Sequence, residues 1–205
     1  MGQAGTPPSS TATHSTQRAG RTQTRERILE SASGLFYAQG IRATSADRII
    51  ESAGITKVTF YRHFRTKSDL VVAYLEKQAA EERAWLTGLR IQGAPDRTLR
   101  ELAAGIGAAS CSPGFRGCAF INAAAEFADP DDPVRAVVHS QRSWMVGQFE
   151  EISKEAGASR PSEIARELML LRDGAMVNGY VGEPSTVAHA LGAAFASVIA
   201  SAEPR

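Results

Sequence analysis

The sequence predicts an all-α protein, and three observations carry that expectation. Apolar residues recur at helical spacing in one window after another from about residue 24 to the C-terminus, and no convincing strand interrupts them. Helix start and stop signals punctuate those windows: hydroxyl or Asp caps, Pro in a first turn, Gly after a last one. Residues 44–70 read as two short helices and the start of a third around a very tight turn, which is a helix-turn-helix.

Residues 1–20, rich in Gly, Pro, Ser and Thr, have no apolar pattern and are predicted to be a disordered tail. Arg18 and Arg21 close it and suit either an arm toward a minor groove or a solvated surface. The first helix is expected from about Thr24 to Gln39, with Ile28, Leu29, Ala32, Leu35 and Phe36 on one stripe. Thr44 with Asp47, and Thr66 with Asp69, have the capping-box spacing. Gly54 stands where a left-handed residue ends the second helix, and Thr56 is placed to cap the third. Ile49, Ile50, Ala53, Val58, Phe60 and Phe64 are expected to supply a small core against the first helix.

After Leu70 a long helix is expected to carry Val71, Tyr74, Leu75 and Trp85 into the rest of the chain. Pro95 starts the next, with Leu99, Leu102, Ala103 and Ile106 at helical spacing. A Gly-rich loop over 111–117 leads to a short apolar helix over 118–127. The Asp-rich turn at 129–133 opens a helix holding Val134, Val138, Trp144, Met145, Phe149 and Ile152. Pro161 begins another with Ile164, Leu168, Leu171 and Ala175, and the last starts at Ser185. These divide the chain into the tail, a head over 21–70 and a helical body over 71–205.

The formal net charge of +1 conceals a division. Residues 14–70 hold ten cations and five carboxylates, a net of +5, and the remainder of the chain a net of −4. A basic head on an acidic body suits a protein that holds nucleic-acid phosphates with one end. The third helix carries Lys57, Thr59, Tyr61, Arg62 and His63 and no acidic residue, which suits a DNA groove. Lys57 can donate to guanine, and Val58 and the Thr59 methyl can meet a thymine methyl. Nothing approaches an uninterrupted membrane-spanning run, and no apolar leader core begins the chain, so a cytoplasmic protein with no membrane partner is expected. Cys111 and Cys118 fit neither a disulfide framework nor a zinc spacing, and no cofactor or metal is expected.

The residues of the head resemble the TetR (tetracycline-repressor-like) family. The matching pattern is Gly40, Thr44, Ser45, Ala53, Gly54, Ile55, Thr56, Phe60, Tyr61, His63, Phe64 and Lys67. Two positions depart from it: Ile50 stands where Ala is usual, and Asp47 where many relatives carry a base-contacting Arg. The resemblance implies a homodimer formed through the last two helices and bound to double-stranded DNA at a palindromic operator. It implies regulation of transcription, usually repression, with release by a small apolar effector held in the helical body. Tyr61, His63 and Lys67 match phosphate-holding positions, although Tyr61 also suits a partly buried core site and His63 a structural hydrogen bond. With Thr44, Ser45, Thr56, Lys57, Val58, Thr59 and Arg62 they complete the expected DNA-contacting set. Residues 114–138 bear a distant likeness to lincomycin-resistance-type regulators.

In the body, Trp85, Phe115, Phe120, Trp144, Met145 and Met176 suit either an apolar cavity or plain core. Asn122 and Glu126 are polar groups placed to orient a ligand there. Cys118, at a helix start beside Arg116, joins that set and with Cys111 offers an alternative, a thiol-based redox-sensing regulator. An enzyme using Cys118 with His139 is the poorest reading, because no phosphate loop, zinc signature or nucleophile elbow accompanies them.

Overall fold

The computed structural model describes residues 11–202. Its helices are α1 (Thr11–Gln39), α2 (Ala46–Ser52), α3 (Lys57–His63), α4 (Lys67–Leu89), α5 (Pro95–Ser110), α6 (Ala119–Glu126), α7 (Pro133–Glu155), α8 (Pro161–Val181) and α9 (Val187–Ala202). A 3₁₀ turn at Pro184–Thr186 leads into α9, and no strand occurs among the described residues. The all-α class is therefore as expected.

The expected start of α1 needs correction. The helix begins at Thr11, so 11–20 of the predicted disordered tail is helical, while 1–10 lies outside the described residues. Thr24 lies within the helix, its hydroxyl donating back to the Gly20 carbonyl at 2.9 Å, one turn earlier. Once a helix is nucleated by its packed part, each added residue gains a hydrogen bond, so polar sequence can extend it without a core.

The turn chemistry of the head is largely as the sequence indicates. Gly54 sits at φ +59, with its amide on Glu51 and the Ile55 amide on Ile50, the Schellman arrangement that ends α2. Thr66 and Asp69 form a reciprocal capping box at α4, with both bonds at 3.0 Å. The cap of α2 is shifted by one residue: Ser45, not Thr44, accepts the Arg48 amide at 3.2 Å.

Two apolar clusters hold the molecule together. Ile28, Phe36, Ile49, Phe60, Phe64 and Leu70 form the core of the head, which continues through Tyr74 into Phe120 of α6 and Val134 and Val138 of α7. Head and body thus share one core across residue 70. The second cluster joins Leu86, Leu102, Ile106, Met145, Phe149, Leu168, Leu191 and Phe195. There α5 runs close to the start of α9, and a Cβ at Gly107 would lie 2.5 Å from the Ala188 methyl, so only glycine permits that approach.

One stretch overturns the expectation that no segment is apolar enough to span a membrane. Pro184–Ser201 reaches that length and hydropathy. Its large apolar residues Val187, Leu191, Phe195 and Ile199 are buried, with α9 packed on α5 and α8. Much of its hydropathy comes from Ala, which packs as readily in a protein core as in lipid.

Candidate nucleic-acid interface and ligand cavity

The recognition helix α3 is anchored from beneath and open above. Thr56 caps it, its hydroxyl accepting the Thr59 amide at 3.2 Å. Phe60 and Phe64 are buried, and the Tyr61 ring packs edge-on against Phe60 at 5.2 Å. Lys57, Val58, Tyr61 and Arg62 are left facing outward, Tyr61 at 43% exposure and Val58 at 79%, so Val58 is not part of the small core it was expected to join. Tyr61 is therefore a surface aromatic steadied by the core rather than part of it. On α2, Asp47 forms an ion pair with Lys57 at 3.3 Å. His63 is half-buried, and its Nε2 has no hydrogen-bond partner. Burial and the nearby Arg62, Arg21 and Arg25 push its pKa down. Arg21 therefore lies near the recognition helix; the side chain of Arg18, the rest of the predicted arm, lies outside the described residues.

Two expected DNA contacts are corrected by the geometry. Thr44 is fully buried, and its hydroxyl donates to the Gly40 carbonyl at 2.8 Å, closing the turn after α1. Lys67 turns inward: Nζ donates to the Ile41 carbonyl at 2.5 Å and reaches Arg42 O at 3.5 Å. Burial lowers its pKa while Glu126 opposes that shift, so the ammonium positions the α1–α2 loop instead of reaching for a phosphate.

The same loop is gripped from the body. Glu126, at the end of α6, accepts the Ile41 amide at 2.9 Å and the Arg42 amide at 2.6 Å. Tyr37 of α1 donates to Gly117 O at 3.0 Å and accepts the Arg116 amide at 2.9 Å, and Arg116 Nη1 reaches Ala38 O at 2.5 Å. Asn122 donates to Arg116 O at 2.9 Å. Asn122 and Glu126, expected as ligand-orienting groups, instead tie α6 and its preceding loop to the head.

Trp85, Phe115, Cys118, Phe120 and Met176 come together around a cavity of about 560 Å³ between α1, α4, α6 and α8. A smaller one of about 220 Å³ adjoins it and adds Leu102, Ile106 and Met145. Trp144 lines neither; it packs against the second core beneath Arg83 at 5.3 Å. A groove of similar size, about 570 Å³, lies between α5 and α9 and is lined mostly by Ala and Gly. The aromatic cavity differs from that groove in having buried charge in its lining, the Arg172–Glu82 pair.

That charge was missed from sequence. Arg172 is buried, pairs with Glu82 and Asp173, and donates to the Cys118 sulfur at 3.3 Å. Gln141 bridges Glu82 at 2.8 Å and Arg83 at 2.7 Å, so the network joins α4, α6, α7 and α8. A signal was present: Arg172 follows Leu168 and precedes Met176 at steps of four, and Glu82 likewise precedes Leu86, which places both charges on core-facing stripes. The redox alternative finds no support, since Cys118 is buried against Arg172 whereas Cys111 is exposed at the end of α5, and neither is in a disulfide. His139 is exposed on α7 and does not meet Cys118, which removes the enzyme reading.

Comparison with known proteins agrees with this geometry. Residues 28–74 match the family model described as bacterial regulatory proteins, tetR family. The HTH-type transcriptional regulator TtgR of Pseudomonas putida is 41% identical over 54 residues, which is 26% of each chain. AcrR of Shigella flexneri is 46% identical over 48 residues, 23% of this chain and 22% of its own. Those alignments span about a quarter of the curated relatives' own length. The likeness to SCO4454, a TetR-family transcriptional regulator from Streptomyces coelicolor, runs through the whole fold: 37% identity, 89% of this chain, 97% of that one and a TM-score of 0.85. A TetR-family regulator from Agrobacterium tumefaciens shares the fold at 20% identity, with a TM-score of 0.75 over 90% of this chain and 100% of its own.

Proposed function

Because the chain belongs to the TetR family of DNA-binding transcriptional regulators, we propose that it works as a homodimeric repressor released from a palindromic operator by a small, largely apolar effector. The observation that carries this reading is α3, anchored by Phe60 and Phe64 and presenting Lys57, Val58, Tyr61 and Arg62 outward. Lys57, Val58 and Thr59 read base edges, while Tyr61, Arg62, His63, Ser45 and Thr56 hold the backbone. One such helix reads only a few base pairs, so specificity calls for two heads at a fixed spacing. Such a protein acts where the chromosome is, in the cytoplasm.

The dimer is supported by the outer face of α8, where Leu170, Val177 and Val181 stand 70%, 46% and 69% exposed on one stripe. Effector release is supported by the two ends of α6. Cys118 and Phe120 line the cavity at one end, and Glu126 holds the α1–α2 loop at the other. A molecule that displaces α6 therefore moves the head, and the two heads lose the operator spacing.

The test is binding of purified protein to DNA around its own gene and to a randomised duplex library, with a salt titration. Saturable binding to a palindrome is expected. Tyr61→Ala should weaken it about tenfold on all sequences, and Lys57→Ala should relax preference at one position per half-site. Sequence-blind binding throughout would refute the reading.

A further inference from the structure

We propose that Asp47 and Lys57 act as one unit that reads a single G·C base pair in each half-site, Lys57 donating to guanine and Asp47 accepting from cytosine. The inference rests on the DNA-binding reading above and adds a reader on α2 to those on α3.

Three observations lead there. First, the Asp47–Lys57 pair joins the first turns of the two helices of the motif at 3.3 Å, beside the exposed Val58. Second, both side chains are open to solvent, Lys57 at 66% and Asp47 at 78%. An exposed pair of that kind adds little to stability. Helix α2 gains something from a carboxylate in its first turn, but that dipole effect does not require a partner on α3. Third, the carboxylate stands in a head of net positive charge, where it repels phosphates on every DNA sequence. A group that weakens binding to all DNA earns its place through the bases.

The chemistry of the pair selects the base pair. In the major groove guanine offers N7 and O6 as adjacent acceptors, and the cytosine N4 amino group lies next to O6. O6 and N4 are themselves hydrogen-bonded at about 2.9 Å, close to the spacing of the protein pair. The Lys57 ammonium has three donors. One stays on Asp47, and the others bridge O6 and N7. Asp47, held beside it, accepts the remaining N4 hydrogen. An adenine puts an amino group where the ammonium sits, and a C·G inversion sets carboxylate against O6. Asp47 thus also keeps the Lys57 ammonium from drifting to phosphate contacts, which carry no sequence information.

Site selection from a randomised duplex library with the full-length protein and its Asp47→Ala and Lys57→Ala variants tests this. Wild type is expected to require G·C at one symmetric pair of positions, and both variants to lose that preference by about tenfold at the same positions and nowhere else. On the selected operator, replacing that cytosine by 2-pyrimidinone, which lacks the amino group, should weaken wild type several-fold and leave Asp47→Ala unchanged. Tighter binding of Asp47→Ala to every sequence alike would overturn the proposal and leave the regulator reading intact. So would variants that relax different positions, or a wild-type preference for A·T at the shared one. No selected sequence at all would overturn both.

Discussion

At the residue scale, Glu126 and His63 show how little a side chain's type says about its partners. Glu126 looks like a polar group in an apolar helix, yet both its oxygens are held by main-chain amides of the α1–α2 loop. Hydrogen bonds to a charged acceptor contribute roughly 1.5–3 kcal/mol each when shielded, and less at a half-exposed site. Glu126→Ala is accordingly expected to lower unfolding stability by about 1–3 kcal/mol in urea titrations. It should also speed hydrogen exchange at the Ile41 and Arg42 amides while sparing α9. His63, half-buried with Nε2 unpartnered, resists protonation in the folded head. The unfolded chain takes up a proton near the ordinary 6.5, whereas burial and three arginines make the folded head resist it. Its contribution to stability is therefore full above that pH and declines as the pH falls below it. The urea midpoint should drop between pH 7.5 and 5.5, and His63→Gln should remove part of that drop; an unchanged slope would refute this role.

At the element scale, the proposed function places the dimer contact on α8 and the effector response on α6. The inner stripe of α8 (Ile164, Leu168, Arg172) is buried, while Leu170 and Val181 on the outer stripe are among the most exposed apolar residues described. Leu170→Asp with Val181→Asp should convert the proposed dimer to monomer in analytical ultracentrifugation with helical content unchanged, and operator affinity should fall with it. A dimer that survives both changes would place the interface elsewhere. The elements were legible in sequence because caps and apolar stripes are local: Pro95 and Pro161 each stand at the start of the helix they were expected to begin, and Asp132 of the expected Asp-rich turn caps α7. The misplaced start of α1 reflects propagation through polar sequence, and the shifted cap at Thr44 has a separate cause. Where two hydroxyls adjoin, as Thr44 and Ser45 do, local spacing does not say which will be buried.

At the scale of the whole molecule, the shared core across residue 70 makes the head and body mechanically continuous. The cavity beside Trp85 lies against that core and against the Arg172–Glu82 pair. An apolar fluorescent probe such as anilinonaphthalene sulfonate should bind there and alter Trp85 emission. Ala109→Trp, at a position lining both cavities, should abolish that binding without weakening the operator complex. Retained probe binding would instead point to the α5–α9 groove.

The sequence by itself determined the helices, the turn chemistry of residues 54–69 and the chemical character of the recognition helix. Each of these depends on residues within a few positions of one another, so their physics is written locally. Only the tertiary structure decided that Lys67 faces the loop, that Thr44 is sealed, that Glu126 reaches more than eighty residues back to the head, and that Arg172, Glu82 and Cys118 meet. Those outcomes depend on how helices distant in sequence pack together. A carboxylate or guanidinium that packing has removed from water must be met by a partner from another helix, and no local pattern names which one.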